Sequence, residues 1–284
     1  MALAPASSKT AALAALRAQV LRLERLGGAA SRVVPALPLF AAHDRLWPEK
    51  GLPLGCLHEA GSDGSLAGTA ALSAFTGALA GRIARAQGSF VLWCARGRDG
   101  DGSGFYAPGL AQVGLAPERL LAVRASSDAA LLAVMEEALA HPLLAAVVGE
   151  IERLSLTASR RLSLAAEKSG VTAFVLRTSR AVNARDSNDC GLPPRARKRF
   201  TTIEPIAAAG RWRVSAVPSA PHVIPEAGAA RLKLELLSSR AGAAGEWIVE
   251  APHAQGDFRL SAAVGDEPAP AARDAARPLR LAAG

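Results

Sequence analysis

The chain has 284 residues, with 33 Lys+Arg against 25 Asp+Glu and a formal net charge of +8. Hydrophobic residues make up 50% and aromatics 4%, which excludes a disordered polyelectrolyte and leaves material for one large core. Cys56, Cys94 and Cys190 lie far apart, which argues against a disulfide framework or an all-cysteine zinc site. The opening MALAPASSKT lacks the basic-then-apolar order of a signal peptide. Apolar runs such as 143–148 are far shorter than a membrane span. A cytoplasmic protein without membrane attachment is expected. Its positive surplus suits an acidic partner, most commonly nucleic acid.

Residues 8–26 read as a helix capped by Ser8. Leu13, Leu16, Val20 and Leu23 recur every three or four residues, and Gly27-Gly28 end the pattern. This helix packs either on a partner or on its own domain. Residues 29–55 are loop-like and punctuated by prolines, closing on the turn GLPLG (51–55), which feeds a strand at 56–60. A glycine-rich turn with Gly61, Gly64, Gly68 and Thr69 comes next. The helix after it carries Leu72, Phe75, Leu79 and Ile83 on one face and ends near Gly88. Strand, glycine-rich turn and helix form the layout of a phosphate-binding loop.

A second strand at 90–94 leads through a polar loop, 95–104, to a short helix at 106–113 and a strand at 119–123. Residues 126–141 are helical, capped by Ser126 or Ser127, with Leu131, Leu132, Met135 and Leu139 as the apolar stripe. The run LLAAVV (143–148) suits a buried parallel strand and ends in Gly149-Glu150. A helix at 157–168 has Thr157 as its cap and Gly170 as its stop, before another buried strand, VTAFVL (171–176). The alternation predicts an α/β fold: a doubly wound, mostly parallel sheet with helices on both faces.

At residue 177 the pattern changes. Arg177, Arg180, Arg185, Arg195, Arg197, Lys198 and Arg199 stand against Asp186 and Asp189, seven basic against two acidic, net +5 over 177–199. So polar a segment packs no core and is expected to be a loop. Non-specific, salt-sensitive phosphate contact is one role for it, and a solvated linker in an Arg-rich chain is the other. Phe200 is the one ring nearby for stacking on a base, so sequence reading is not expected. Strands follow at 212–217, 232–237 and 246–250. The last two alternate apolar and polar residues and join through SSRAGAAG as an antiparallel hairpin, which 258–260 extends. Residues 265–284 are rich in Ala, Pro, Arg and Asp and are expected to be disordered.

The run FAAHDRLWPEKGLPLGCLHEAG (40–61) resembles the segment of bacterial RecA-like proteins that enters the phosphate loop. YAPGLAQVGLAPERLLAV (106–123) resembles the next part of that core. LHE (57–59), YAPGL (106–110) and VVGEIERLSLTASRRLSLAAEKSGVTAFVLR (147–177) are similar to the ImuA family, the RecA-related members of a bacterial inducible mutagenesis cassette. WRV (212–214) and LKLELLSSRAGAAGEWIVE (232–250) are similar to that family's tail, so the resemblance spans 40–260. It implies a RecA-like, P-loop NTPase-type core with C-terminal antiparallel strands. The implied organisation is an N-terminal helix (1–28), a RecA-like domain (29–264) with basic loop 177–199, and a tail (265–284). The implied role is in SOS-induced translesion synthesis and mutagenesis. The implied partners are ImuB, an inactive Y-family polymerase relative, an error-prone DNA polymerase III alpha-type subunit, and RecA itself. The basic loop occupies the place where RecA relatives carry a DNA-binding loop.

An active phosphate loop, G-x-x-x-x-G-K-[ST], uses backbone N–H groups, a Lys on the β/γ-phosphates and a hydroxyl on Mg²⁺. Here Gly61, Gly64, Gly68 and Thr69 are present, but no Lys stands between Lys50 and Lys168. RecA relatives place a water-positioning glutamate just after the strand that ends here at Cys94, where this chain has Ala95-Arg96. The acidic residue expected at the tip of strand 143–148 is Glu150, displaced by one position. It serves either as a metal ligand or, more plainly, as a cap or a partner to an Arg such as Arg153. His43, His58, His141, His222 and His253 have no H-E-x-x-H spacing, and no serine stands in G-x-S-x-G. A degenerate phosphate loop, a degenerate Walker B position and no catalytic or metal-binding residues are therefore expected. No cofactor is expected, and nucleotide binding without hydrolysis stays open. The reading is a non-catalytic accessory protein. The alternatives are a divergent RecA-like ATPase or a DNA-binding regulator of RecA. ALPLF (36–40) is also similar to the LxLF-type segment that docks on sliding clamps, without its leading Gln, while Phe40 has a competing place in the core.

Overall fold

A computed structural model of the chain describes residues 35–97, 106–177, 205–219 and 230–261. The expected helix at 8–26, the basic residues after Arg177 and the tail at 265–284 lie outside the described residues.

The proline-punctuated entry is more ordered than its composition suggests. Strands β1 (Ala36–Leu37) and β2 (Leu52–Pro53) pair antiparallel, and a single helical turn, α1 (Ala41–Asp44), lies between them. The apolar residues between the prolines drive this: Leu37, Leu39, Trp47, Leu52 and Leu54 are all buried. The clamp-like pentapeptide is thus part of the core, with Phe40 packed edge-on against Trp247 at 5.5 Å between ring centroids. Its second role, at the start of the core, is the one the fold uses.

The main sheet has eight strands. They are β3 (Leu57–Gly61), β4 (Phe90–Arg96), β5 (Leu120–Ala125), β6 (Leu144–Glu150), β7 (Thr172–Arg177), β8 (Gly210–Val217), β9 (Arg231–Ser239) and β10 (Gly245–Glu250), in the order β10-β9-β8-β3-β7-β6-β4-β5. From β8 to β5 every pairing is parallel, and β9 and β10 add antiparallel strands. The predicted extension at 258–260 is present as a bridge from Val249 to Leu260 along β10. The architecture is the expected α/β one, with the layout of a RecA-like core and C-terminal antiparallel strands.

The helices are α2 (Leu66–Gln87), α3 (Ala107–Gln112), α4 (Asp128–Ala138) and α5 (Leu156–Ser169). Strand alternation divides the core into two layers. Trp93, Val148, Phe174 and Trp212 meet Leu72, Phe75 and Leu79 of α2 on one face. Leu92, Cys94, Val147 and Val175 meet Leu131 and Met135 of α4 and Leu162 of α5 on the other. Ser127, one of the two predicted caps of α4, accepts from the N–H of Ala130. For α5 the cap is Ser155 rather than Thr157: Ser155 has extended backbone and accepts from the N–H of Ala158, which leaves Thr157 inside the first turn.

Helix α2 is long and apolar enough to cross a membrane, but most of it is buried inside the fold. A Cβ at Gly81 would collide with the carbonyl oxygen of Gly114. The turn after α3 therefore lies directly on the helix backbone. The chain leaves β3 for β4 on one side of it and later returns past it to β8 on the other. The glycine-rich turn follows the C-terminal end of β3, the end of the strands at which open α/β sheets bind ligands.

Candidate functional site

The four residues read as a phosphate loop run from the end of β3, through the turn, into the first turn of α2. Gly61 ends β3 in register with Arg177 of β7. Gly64 has φ of 78°, a left-handed turn position that favours glycine. Thr69 lies in the first turn of α2, where its hydroxyl donates to the carbonyl of Ser65 at 2.9 Å. When Thr69 takes the hydroxyl position of the phosphate-loop pattern, the residue at the lysine position is Gly68.

Asp63 fills the space in front of that position. Its Oδ1 accepts from the Ser65 N–H at 2.9 Å and from the Ser65 hydroxyl at 2.7 Å. Ser65 in turn caps α2, its oxygen accepting from the Gly68 N–H at 2.9 Å. A Cβ built at Gly68 would collide with that same Asp63 oxygen. The lysine side chain of an active loop would thus start where a carboxylate now stands. A negative group at a helix N-terminus also satisfies the dipole that would otherwise attract a phosphate. The sequence reading missed Asp63. An Asp two residues before a Ser cap is a recognisable Asx-turn signal, but it does not say where the carboxylate points.

The other two positions have also been put to different use. At the end of β4, Arg96 stands where a water-positioning glutamate was sought. It pairs with Glu152 at 2.9 Å and with Asp128 at 3.6 Å. Asp128 also accepts from the Arg153 N–H at 2.9 Å. Glu150 ends β6 on the α2 side of the sheet, and its Oε1 accepts from the indole N–H of Trp93 at 2.9 Å. Burial pushes its carboxyl above the usual carboxylate range, against the lowering effect of the Trp93 bond. That disfavours the charged form a metal would require. Its partner is thus an indole and not Arg153. Among the described residues no group of three or more His, Cys, Asp and Glu side chains is placed to hold a metal.

Of the seven basic residues expected to touch DNA, Arg177 is described, and Arg180, Arg185, Arg195, Arg197, Lys198 and Arg199 lie outside the described residues. Arg177 ends β7 and lies 3.5 Å from Glu59, which is 1% exposed. Arg211 of β8 donates to the second oxygen of Glu59 at 2.6 Å. One buried carboxylate in the middle of β3 thus ties it to the end of β7 and the start of β8. The signal for Glu59 was a charge inside an apolar strand, which requires a partner. No spacing pointed to which arginine supplies it.

No protein-family profile matches the chain. The chain is 36% identical over 236 residues to Protein ImuA of Caulobacter vibrioides (strain NA1000 / CB15N), covering 81% of this chain and 89% of that protein. The same figures hold for Protein ImuA of the Caulobacter vibrioides strain ATCC 19089 / CIP 103742 / CB 15. Nearly the whole length of the relative is matched. The chain belongs to the ImuA family, a family of the bacterial inducible mutagenesis cassette.

Proposed function

We propose that this protein is a non-catalytic, RecA-like accessory component of SOS-induced translesion synthesis. It acts as an adaptor in a complex with ImuB and an error-prone DNA polymerase III alpha-type subunit, and it makes contact with RecA. The organisation that goes with this role is an N-terminal helix over 1–28, a RecA-like domain over 29–264 and a tail from 265, in a cytoplasmic protein. Membership of the ImuA family supports the cassette role. The observation that carries the non-catalytic part is the Asp63 carboxylate, held by Ser65 at the point where the phosphate-loop lysine would begin. Without that lysine a transferring phosphoryl group loses a main electrostatic stabiliser. A carboxylate in its place adds repulsion. Gly61, Gly64, Gly68, Thr69 and Glu150 then serve the fold, as remnants of a nucleotide site. The basic segment supplies weak, sequence-indifferent contact with DNA.

Co-purification of this chain with ImuB tests the adaptor reading. The complex should form in nucleotide-free buffer and keep its affinity when ATP and Mg²⁺ are added. A complex that forms only with ATP, or no complex at all, contradicts it.

A further inference from the structure

Three exposed large hydrophobic side chains lie together at one end of the sheet. Phe90 opens β4 and is 39% exposed, Leu121 of β5 is 48% exposed, and Leu143, just before β6, is 71% exposed. The Phe90 N–H donates to the Leu143 carbonyl at 3.2 Å, and Leu121 stands opposite Leu92, two residues along from Phe90. Alternation puts Phe90 and Leu121 on the face where Leu92 meets α4. The patch thus crosses the N-terminal ends of β6, β4 and β5, and β5 is the outer strand of the sheet. A contiguous apolar patch beside an open edge marks a surface that calls for a cover.

The helix expected over 8–26 fits this patch in length, reach and charge. Its stripe of Leu13, Leu16, Val20 and Leu23 needs an apolar partner. From Leu13 to Leu23 the stripe is about 15 Å long, and crossing from β6 to β5 takes roughly 10 Å. Residues 27–34 join the helix to Pro35, and such a stretch spans up to about 27 Å when extended. Pro35 accepts from the Leu54 N–H at 2.8 Å, and Gly55 donates to the Thr172 hydroxyl at 3.0 Å, at the start of β7. From β7 to β5 is roughly 14 Å, so the connecting chain has length to spare to round the strand ends. Glu118, just before β5, and Glu137, in the last turn of α4, are exposed at the rim, while Arg119 is turned to the Ser89 carbonyl. The expected helix carries Lys9, Arg17, Arg22 and Arg25 against Glu24, four basic minus one acidic, net +3.

We propose that residues 8–26 dock as a helix on Phe90, Leu121 and Leu143 of the same chain. The leucine stripe covers the patch, and the basic face meets Glu118 and Glu137. The docked helix also shields the start of the β5 edge, as natural sheets do with an edge strand that would otherwise recruit another chain. At the opposite edge Ile248 and Leu260 are exposed too, but there residues 259–261 of the chain already bond to β10. The β5 edge has no such cover among the described residues.

The test is photo-cross-linking in the full chain, with benzoylphenylalanine in place of Leu143. A cross-link to a peptide within 8–26 is expected, in a product with the mass of one chain. It should be lost when Leu16→Asp and Val20→Asp are combined. A product of twice that mass means that a second copy covers the patch, and it overturns the proposal. So does a cross-link to any other segment, or none at all. Hydrogen exchange gives a second readout with the patch left unaltered. Amides of β5 should exchange faster in the Leu16→Asp/Val20→Asp variant than in the parent, because the cover is gone. Equal rates overturn the docking.

Discussion

Glu59 is buried and Asp63 is exposed, although only four positions separate them. Glu59 lies between Arg177 and Arg211 and has no route to water. Glu59→Gln keeps its shape and removes the buried charge that Arg177 and Arg211 face. Breaking a buried pair from one side costs about 3–5 kcal/mol, and urea unfolding should show a loss of that order. Asp63 and Ser65 cap α2 at the surface, so the effect there is smaller. Ser65→Ala should cost about 1 kcal/mol of stability by the same measurement. His58 sets the pH response. Burial lowers its pKa from 6.5 to about 4, so the folded state resists a proton that the unfolded chain accepts. The stability this gives is complete above pH 6.5 and is lost as pH falls toward 4, about 3 kcal/mol across that window. Buried His43 is shifted the same way, by burial against the opposing effect of Asp44. Urea midpoints measured from pH 7 to pH 4 should fall steeply in the parent and less steeply in His58→Phe.

At the scale of elements, three of the parallel strands were legible because each is a short apolar run. β4, β6 and β7 are buried on both faces, and no solvent-facing residue interrupts their pattern. The β9–β10 hairpin was legible for the opposite reason, since alternation marks a sheet with one covered face. The β1–β2 ribbon was not, because two-residue strands have no periodicity and the prolines around them read as loop. The candidate site divides the same way. Its glycines are local and visible, whereas the Asp63 and Glu59 contacts depend on where a side chain points or on a partner more than a hundred residues away. Helix α2 shows how a tertiary contact overrides local preference. Alanine is the better helix former, yet Gly81 lies under the Gly114 carbonyl. Gly81→Ala should therefore destabilise the protein by about 1–3 kcal/mol through overpacking, measurable by urea unfolding. The same change at an open helical position would stabilise it.

For the whole molecule, net charge and the missing lysine lead to separate experiments. If three or four of the seven basic residues in 177–199 engage single-stranded DNA, the log–log salt slope should be roughly −2 to −3. Arg195, Arg197, Lys198 and Arg199 replaced together by Ala should flatten that slope on all sequences alike. Arg177 is better left in place, because it also pairs with buried Glu59. The central claim is that a RecA-like core has been kept as a scaffold after its phosphate chemistry was lost. ATP turnover by the full chain, with single-stranded DNA and Mg²⁺ present, tests it most directly. Turnover no higher than the buffer background is the predicted result. Turnover that disappears in Thr69→Val or Glu150→Gln would contradict the account, since it would show that the site around Asp63 still handles phosphate.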